Sequence, residues 1–232
     1  MQCYGHKIIK RRDASSVHDN ERLERESIGE LEMNDGFVIW LTGLPGSGKT
    51  TIARVLQPKL KKLGLRVELL DGDEVRKQLS PDLGFTKEDR ELHARRVVYL
   101  SKLLARNGIV AMVSLISPYR SFRAFARQEI GNFVEVYVKC SINTCIKRDP
   151  KGLYKKALTG EIVDLTGLQD PYEEPIDPEV IVNTELEKPE QSAAKILHTL
   201  RDLGYLTDVV LSWPKILEDR ELRHLIMEHT TF

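Results

Sequence analysis

The sequence lacks several features that define whole classes of proteins. Its 35 Lys and Arg residues are balanced by 35 Asp and Glu residues, so no net positive field attracts nucleic acid or an anionic membrane surface. No apolar run approaches the roughly 20 residues that a membrane-spanning helix requires. The first residues mix charges of both signs without an apolar signal core. We therefore expect a cytoplasmic protein that binds neither nucleic acid nor membranes.

Cysteine is also scarce. Cys3, Cys140 and Cys145 cannot all pair with one another, and the spacing of the last two fits no common zinc site. We expect buried or idle thiols in a reducing compartment, because cytosolic cysteines are rarely held as structural disulfides.

The sequence does contain a complete phosphate-binding loop. Residues 43–50 fit the pattern G-x-x-x-x-G-K-[ST], after an apolar run at 37–41 and before a helix-period pattern at 51–63. A strand, a glycine turn and a helix in this order surround a phosphate with backbone N–H groups and the positive end of the helix. Lys49 then reaches the β- and γ-phosphates, and the Thr50 hydroxyl ligates Mg²⁺. The predicted triphosphate-binding residues are Gly43, Leu44, Pro45, Gly46, Ser47, Gly48, Lys49, Thr50 and Thr51.

Strand and helix patterns alternate through the rest of the chain. This alternation predicts an α/β fold of the P-loop NTPase or nucleotide-kinase type, a three-layer sandwich around a parallel five-stranded sheet. Unbroken apolar runs are typical of strands buried on both faces. The predicted strands lie at 37–42, 66–70, 109–116, 133–139 and 179–183, and the predicted helices at 49–63, 87–107, 119–130, 142–148 and 187–203.

Composition divides the chain into three parts. Residues 1–35 are a polar tail, 36–204 a kinase domain and 205–232 a C-terminal extension with an amphipathic helix near 214–228. That helix is expected to dock on its own domain or on a second subunit. Within the domain, the proline- and glycine-rich segment 150–178 is predicted to be a lid, because long irregular segments in compact domains are usually functional.

Two carboxylates follow the second predicted strand, in the sequence Asp71-Gly72-Asp73, with Arg76 one turn later. They can orient Mg²⁺, here assigned to Asp71 with Thr50, and accept a proton from a hydroxyl, here assigned to Asp73. The alternative is an ordinary Asp-Gly turn in which Asp73 caps a helix. A position at the carboxyl end of a parallel strand favours the functional interpretation.

These and further motifs resemble the adenylylsulfate kinase (APS kinase) family of P-loop kinases. The resemblance runs from about residue 36 to 203 in the family's order and spacing. Its most selective strings are Asp-Pro-Lys-Gly-Leu-Tyr-Lys-Lys at 149–156 and Ile-Ser-Pro-Tyr-Arg at 116–120. The other matching segments are 71–76, 82–86, 89–90, 95–96, 166–167 and 170–173.

The resemblance implies a reaction and its substrates. The family transfers the γ-phosphate of ATP to the 3′-hydroxyl of adenosine 5′-phosphosulfate (APS), giving 3′-phosphoadenosine 5′-phosphosulfate and ADP during sulfate activation. It implies ATP and Mg²⁺ as cofactors and a homodimer as the assembly. Two alternatives stay open: a related kinase with another nucleotide-like acceptor, and a nucleotide-binding regulator that contacts an ATP sulfurylase.

The resemblance also implies residue roles. Asp73 is the base that activates the acceptor hydroxyl, and Arg148 packs against the donor adenine. The family records a phosphorylated serine at Ser117, yet direct in-line transfer needs no covalent intermediate. Ser117 is nevertheless counted with Lys49 and Asp73 as a candidate catalytic residue. The implied acceptor-binding residues are Asp73, Arg76, Phe85, Arg90, His93, Ile116, Ser117, Lys155 and Leu165.

Two of these positions depart from the family pattern. His93 stands where many relatives have Asn, and we expect it to hydrogen-bond the acceptor with some pH dependence. Leu165 stands where relatives commonly have Phe, and it covers an adenine face without aromatic stacking. Both changes bear on acceptor affinity more than on the type of reaction.

Overall fold

The computed structural model describes residues 36–206. The predicted N-terminal tail and the predicted helix near 214–228 lie outside the described residues. At the end of the described segment, the Tyr205 ring lies 4.6 Å from that of Phe37, and Leu206 is buried. The packed domain therefore extends at least two residues beyond the boundary at 204 predicted from the sequence.

Five parallel strands form one sheet in the order β2-β3-β1-β4-β5, which confirms the predicted architecture. The strand that enters the phosphate loop is central, with Trp40 in register between Val113 and Glu135. Parallel neighbours pair with its backbone on both sides, so the loop begins from the middle of the sheet. The strands are β1 (Val38–Thr42), β2 (Val67–Asp71), β3 (Val110–Ser114), β4 (Phe133–Lys139) and β5 (Val180–Asn183).

Seven helices connect or follow these strands within residues 36–206. The five predicted helices are present, and two shorter ones were not predicted, α2 after β2 and α6 inside the lid segment. Helix α2 has Val75 as its one buried residue, so it shows no apolar period, and α6 lies in the proline- and glycine-rich segment that was interpreted as a lid. The helices are α1 (Lys49–Lys62), α2 (Gly72–Leu79), α3 (Lys87–Ala105), α4 (Arg120–Ile130), α5 (Ile142–Arg148), α6 (Leu153–Leu158) and α7 (Pro189–Asp202).

The alternating side chains of β1 divide the core into two layers. Ile39 and Leu41 belong to a cluster with Leu56 of α1 and Ile196 of α7. Val38 and Trp40 belong to a second cluster with Val97 of α3 and Ala126 of α4. Helices therefore cover both faces of the sheet, which confirms the predicted three-layer sandwich.

The prediction that all five strands are buried on both faces is wrong for the two edges. In β2, Glu68 is exposed between buried Val67 and half-buried Leu69, and in β5, Ile181 is 46% exposed. Each edge strand has a neighbour on one side only, and the helix layers do not cover its outer residues fully. The central strands β1 and β3 are buried throughout.

The start of α3 is set by a capping box that also positions the next residue. Thr86 Oγ1 accepts a hydrogen bond from Asp89 N at 3.2 Å, and Asp89 Oδ2 accepts from Thr86 N at 3.3 Å. Two otherwise unpaired helix N–H groups are thereby satisfied. Arg90, which follows directly, projects from the first turn of a helix with a defined origin.

Among the described residues, no helix combines the length and the apolar character needed to cross a bilayer. Cys140 and Cys145 are free and buried, as predicted for these two cysteines. The third lies outside the described part of the chain.

Candidate active site

The carboxyl ends of the parallel strands open into one large cavity, called here the main cavity, with a volume of about 1010 Å³. This is where ligands bind in open parallel α/β sheets. Its walls bring together most of the residues predicted from the sequence. Those that line it are Pro45, Gly46, Gly48, Lys49, Thr50, Thr51, Asp71, Asp73, Arg76, Phe85, Arg90, His93, Ile116, Ser117 and Arg148.

Five predicted residues do not line the main cavity. Gly43, Leu44 and Ser47 lie in the phosphate loop without lining this cavity, and Leu44 lines a second cavity of about 580 Å³. Lys155 is exposed on α6, so this structure does not place it at the acceptor position. Leu165 is buried with Cys140, Tyr154 and other apolar residues of the lid, so it supports the lid and covers no open surface of the main cavity.

The phosphate loop has the tight backbone that its glycines predict. A Cβ atom at Gly43 would lie 2.5 Å from the carbonyl oxygen of Val138, and Gly46 has a φ of 74°. A side chain would clash with the backbone at the first position and strain the backbone at the second. The loop then feeds directly into the N-terminus of α1, where unpaired N–H groups face the cavity.

Lys49 is held inside this loop. Its Nζ donates hydrogen bonds to the carbonyl oxygens of Gly43 and Leu44, both at 2.8 Å. The pKa of Lys49 is lowered to about 7, mainly by burial. The charge of Lys151 also lowers this pKa, whereas Cys145 and Asp71 raise it. An anion bound at the loop would favour the charged ammonium form.

Three oxygen-bearing side chains meet beside the loop. Thr50 Oγ1 donates a hydrogen bond to Asp71 Oδ2 at 2.9 Å and lies 3.1 Å from Ser114 Oγ. Hydroxyl and carboxylate oxygens are the hard donors that Mg²⁺ prefers, with water and substrate phosphates as its other ligands. No group of three or more His, Cys, Asp or Glu side chains within residues 36–206 forms a closed protein metal cage.

Asp71, and not Asp73, caps the helix that follows β2. Its Oδ1 accepts a hydrogen bond from the backbone N–H of Asp73 at 3.2 Å. The capping alternative considered for Asp73 is therefore wrong. The Asp73 side chain forms an ion pair with Lys151, which lies at the start of the lid. Sequence analysis missed Lys151 as a site residue, although it belongs to the selective string at 149–156.

The far wall of the main cavity carries two arginines and an exposed aromatic ring. The Arg76 guanidinium carbon lies 4.5 Å from the centre of the Phe85 ring, and Arg76 Nη2 also donates to the carbonyl oxygen of Gly84. Phe85 is 63% exposed. A flat ring beside guanidinium groups suits a ligand that combines a base with anionic groups.

Arg90 connects this wall to the lid. Its Nε donates to the carbonyl oxygen of Phe85 at 2.8 Å, and Nη1 donates to Thr166 Oγ1 at 2.5 Å. The same guanidinium forms an ion pair with Asp170 at 3.2 Å. Because it holds two separate segments at once, Arg90 couples the lid position to the Phe85 loop.

His93 lies at the back of this wall, with 5% of its surface exposed. Its Nδ1 is 2.9 Å from Ser80 Oγ, and its buried Nε2 has no hydrogen-bond partner among the described residues. Burial, followed by the charges of Arg76 and Arg96, lowers the pKa of His93 to about 4. The imidazole is therefore neutral near pH 7. The pH dependence expected from the sequence is shifted to about pH 4, well below the neutral range.

Ser117 is buried in the turn that follows β3, in a left-handed backbone conformation with a φ of 46°. Its Oγ accepts a hydrogen bond from the indole Nε1 of Trp40 at 3.0 Å. Its carbonyl oxygen accepts from Arg123 Nη1 at 2.5 Å. These contacts anchor the strand end and its hydroxyl, as expected for a residue that lines the site.

Arg123 is a second residue that sequence analysis missed. It pairs with the buried carboxylate of Glu135 at 2.7 Å and donates to the carbonyl oxygen of Glu173, in the lid, at 2.6 Å. One buried cation thus joins α4, β4, the Ser117 turn and the lid. The one feature of the sequence that could have indicated this role is the position of an arginine on an otherwise apolar helix face.

The lid is also tied to the donor side. Tyr154 Oη donates to the carbonyl oxygen of Pro45 at 2.9 Å. Arg148 donates to the side chain and the carbonyl oxygen of Thr184 at 2.9 and 2.7 Å, and Thr184 Oγ1 donates to the Ser47 carbonyl oxygen at 2.9 Å. The guanidinium of Arg148 is therefore held at the rim of the phosphate loop.

Comparison with known proteins identifies the relatives of this chain. The sequence model of the adenylylsulphate kinase family matches residues 35–183. A relative from Pyrococcus abyssi, named as a probable adenylyl-sulfate kinase, is 55% identical over 74% of this chain and 99% of its own length. A relative from Sorangium cellulosum, named as a probable bifunctional SAT/APS kinase, is 53% identical over 74% of this chain and 29% of its own length.

A solved structure extends the comparison to three dimensions. The APS kinase of Mycobacterium tuberculosis, in complex with AMPPNP and APS, is 37% identical and superposes with a TM-score of 0.70, over 72% of this chain and 98% of that chain. The family match spans more than half of this chain, and the Pyrococcus relative is matched almost from end to end. The chain therefore belongs to the adenylylsulfate kinase family.

Proposed function

We propose that this protein transfers the γ-phosphate of ATP to the 3′-hydroxyl of adenosine 5′-phosphosulfate. The observation that carries the proposal is the arrangement of the main cavity. Lys49 and Thr50 form a triphosphate site on one side, and Arg76 and Phe85 form a site for a second anionic nucleotide on the other. Asp73 lines the same cavity.

On the donor side, the loop amides and Lys49 bind the ATP phosphates, and Arg148 at the loop rim packs against the donor adenine. Thr50 and Asp71 would hold Mg²⁺ between them and the phosphates, where the ion neutralises phosphate charge. Asp71 is kept in position by its cap on α2. These contacts fix the γ-phosphate in place, and positioning is the main contribution that a phosphotransferase makes.

On the acceptor side, the guanidinium of Arg76 binds the phosphosulfate, and the exposed Phe85 ring stacks on the adenine. The neutral imidazole of His93 has an unpaired Nε2 that hydrogen-bonds the acceptor. Asp73 accepts the proton of the 3′-hydroxyl as its oxygen attacks the γ-phosphorus in line. Ile116 and Ser117 complete the wall.

The lid excludes water from the reacting groups. It contacts both sides of the main cavity, through Tyr154 and Pro45 at the phosphate loop and through Arg90 and Asp170 on the opposite side. Exclusion of water strengthens electrostatic interactions and suppresses hydrolysis of ATP.

The test is direct. Purified protein with MgATP and APS should form a 3′-phosphorylated product and one ADP per product. Asp73→Asn serves as the control, because it keeps the size and polarity of the side chain but removes the base. The proposal would be contradicted if no more product formed than with that control. If ADP were released with a different adenylyl acceptor and not with APS, that acceptor would be the substrate.

Three further expectations belong to this proposal. Cytoplasmic location remains a prediction from the sequence, and the homodimer remains a prediction from the family resemblance. An ATP sulfurylase partner remains a prediction, supported by the Sorangium relative, which is named for both SAT and APS kinase. Size-exclusion chromatography coupled to light scattering, with and without an added sulfurylase, tests both assemblies.

A further inference from the structure

The last part of the lid segment is held against the protein body. Residues 170–174, called here the strap, lie between the lid helix α6 and the edge strand β5. Tyr172 Oη lies 3.0 Å from Thr42 Oγ1 at the end of β1, and Asp170 Oδ1 accepts a hydrogen bond from Tyr119 Oη at 2.7 Å. The strap is therefore fixed both to the strand that enters the phosphate loop and to the residue that precedes α4.

Glu173 joins the strap to the turn before α4 through its side chain and its backbone. Its carboxylate accepts a hydrogen bond from the backbone N–H of Arg120 at 2.7 Å. Its own N–H donates to the carbonyl oxygen of Pro118 at 2.8 Å, and its carbonyl oxygen accepts from the buried Arg123 at 2.6 Å. These hydrogen bonds connect two segments that are distant in the chain.

The Glu173 carboxylate supplies a cap that α4 lacks in its own sequence. The residue at the N-cap position, Tyr119, makes no side-chain capping hydrogen bond, and the first turn contains no acidic residue. The first N–H groups of a helix need acceptors, and a carboxylate at this end also interacts favourably with the helix dipole. A side chain of the strap therefore stabilises the start of α4 from outside the helix.

The start of α4 is continuous with the acceptor side of the main cavity. Ile116 and Ser117 line that cavity and directly precede the turn at 118–119. Asp170 of the strap forms an ion pair at 3.2 Å with Arg90, which lines the same cavity. The positions of these cavity-lining residues therefore depend on how the strap is held against α4.

We propose that Glu173 is a positioning residue for the acceptor side of the transfer reaction. The inference rests on the proposed function. Glu173 does not line the main cavity, so it acts through the residues that it holds. By binding the start of α4, its carboxylate keeps the acceptor side in the arrangement that binds APS and excludes water. A displacement of about 1 Å in the position of a reactant can lower the rate by about 100-fold.

The test uses two conservative variants of Glu173 in the full chain. Glu173→Asp keeps the charge but is one methylene shorter, so it does not reach the Arg120 N–H from the same backbone position. Glu173→Gln removes the charge but keeps the length and an oxygen that accepts the hydrogen bond. Glu185→Asp is the matched control, because Glu185 accepts from the Ser141 N–H at the start of α5, at 3.0 Å, and does not line the main cavity.

We expect Glu173→Asp to lower kcat/KM for APS by about 10- to 100-fold. The Kd for ATP should change by less than about threefold, because Arg148 and the phosphate loop are held through Thr184. Glu173→Gln should stay within about fivefold of the parent protein, because it keeps the hydrogen bond. Glu185→Asp should keep kcat/KM for APS within about twofold of the parent value.

A second readout measures the exclusion of water. The parent protein should form ADP and the 3′-phosphorylated product in about equal amounts, whereas Glu173→Asp should release at least about twofold more ADP than product. All four proteins are assayed well below their melting temperatures, so that loss of folded protein does not contribute. A lower stability by itself leaves the ratio of ADP to product unchanged.

Two results would overturn the inference. One is a kcat/KM for APS in Glu173→Asp within about twofold of the parent protein, and the other is an equal loss in Glu185→Asp. Absence of product from the parent protein would instead contradict the proposed function, so the two failures are distinguishable.

Discussion

The indole Nε1 of Trp40 donates a hydrogen bond to Ser117 Oγ at 3.0 Å, and both residues are buried. Trp40 lies in the central strand β1, and Ser117 follows the neighbouring strand β3. The contact fixes the hydroxyl against the sheet, in a segment that Arg123 also holds through its carbonyl oxygen. Ser117 therefore has a structural role independent of any phosphorylation.

This relationship predicts that Ser117→Ala retains activity. Turnover should fall by less than about tenfold, because the transferring groups are held by other residues. The unfolding free energy should fall by about 1–3 kcal/mol, since the buried indole N–H loses its acceptor. The assay is product formation with radiolabelled ATP, in which the protein itself should stay unlabelled. Complete loss of turnover in a folded Ser117→Ala protein would show that the hydroxyl takes part in the chemistry.

The lowered pKa of Lys49 predicts that the protein takes up a proton when ATP binds. The pKa of Lys49 in the free protein is lowered to about 7, and bound phosphates raise it. At pH 8 the amine is mostly neutral before binding, so ATP binding should take up as much as about one proton. At pH 6 it is already charged, and uptake by this group should vanish. Calorimetry in two buffers of different ionisation enthalpy measures the difference.

Lys49→Arg is the control for this measurement, because a guanidinium stays protonated at both pH values. It should show no uptake that depends on residue 49. Equal uptake by the parent protein and Lys49→Arg at pH 8 would assign the proton to another group.

The lowered pKa of His93 predicts that the protein loses stability in mild acid. The pKa of His93 is lowered to about 4 in the folded protein, against about 6.5 for an unperturbed histidine. Below pH 6.5 the unfolded chain therefore binds more protons than the folded protein. The free energy of unfolding is unaffected by this group above pH 6.5 and falls as the pH drops towards 4. After allowance for solvent screening the loss is about 2 kcal/mol.

Urea unfolding between pH 7 and pH 4 tests this, with His93→Asn as the comparison. Asparagine does not titrate, so the variant should lose less stability than the parent protein over this range. Parallel stability curves for the two proteins would place the acid sensitivity elsewhere.

The buried ion pair of Arg123 with Glu135 predicts that loss of the arginine strongly lowers stability. The guanidinium of Arg123 is 3% exposed and pairs with Glu135, which is 9% exposed. Arg123→Met leaves that carboxylate with only the more distant Arg127, at 3.4 Å, and should cost about 3–5 kcal/mol in urea unfolding. The exposed pair of Lys102 and Glu129 is the comparison, where Lys102→Met should cost less than about 1 kcal/mol. Similar losses in both variants would mean that burial does not determine the contribution of these ion pairs.

The core of the fold and the donor half of the site could be predicted because their signals are contiguous. The phosphate loop needs glycines, a lysine and a threonine within eight residues, and the structure has that loop between β1 and α1. The five strands were located to within about two residues. Helices α2 and α6 were not predicted, because α2 buries only Val75 and α6 lies within a segment rich in proline and glycine.

Other features depended on the order of the strands. Thr50 meets Asp71 because β2 and β1 lie on either side of β3. No local sequence pattern predicts this strand order. Lys155 and Leu165 were assigned to the acceptor site by their motifs, yet α6 and the lid turn the first outward and bury the second.

The sequence by itself determined the phosphate loop, the alternation of strands and helices and the family, because each follows from residues close together in the chain. Only the tertiary structure decided which distant charges meet: Lys151 with Asp73, and Arg123 with Glu135 and the lid. The physical reason is that backbone requirements are local, whereas a pairing of charges depends on how the sheet and its helices bring separate segments together.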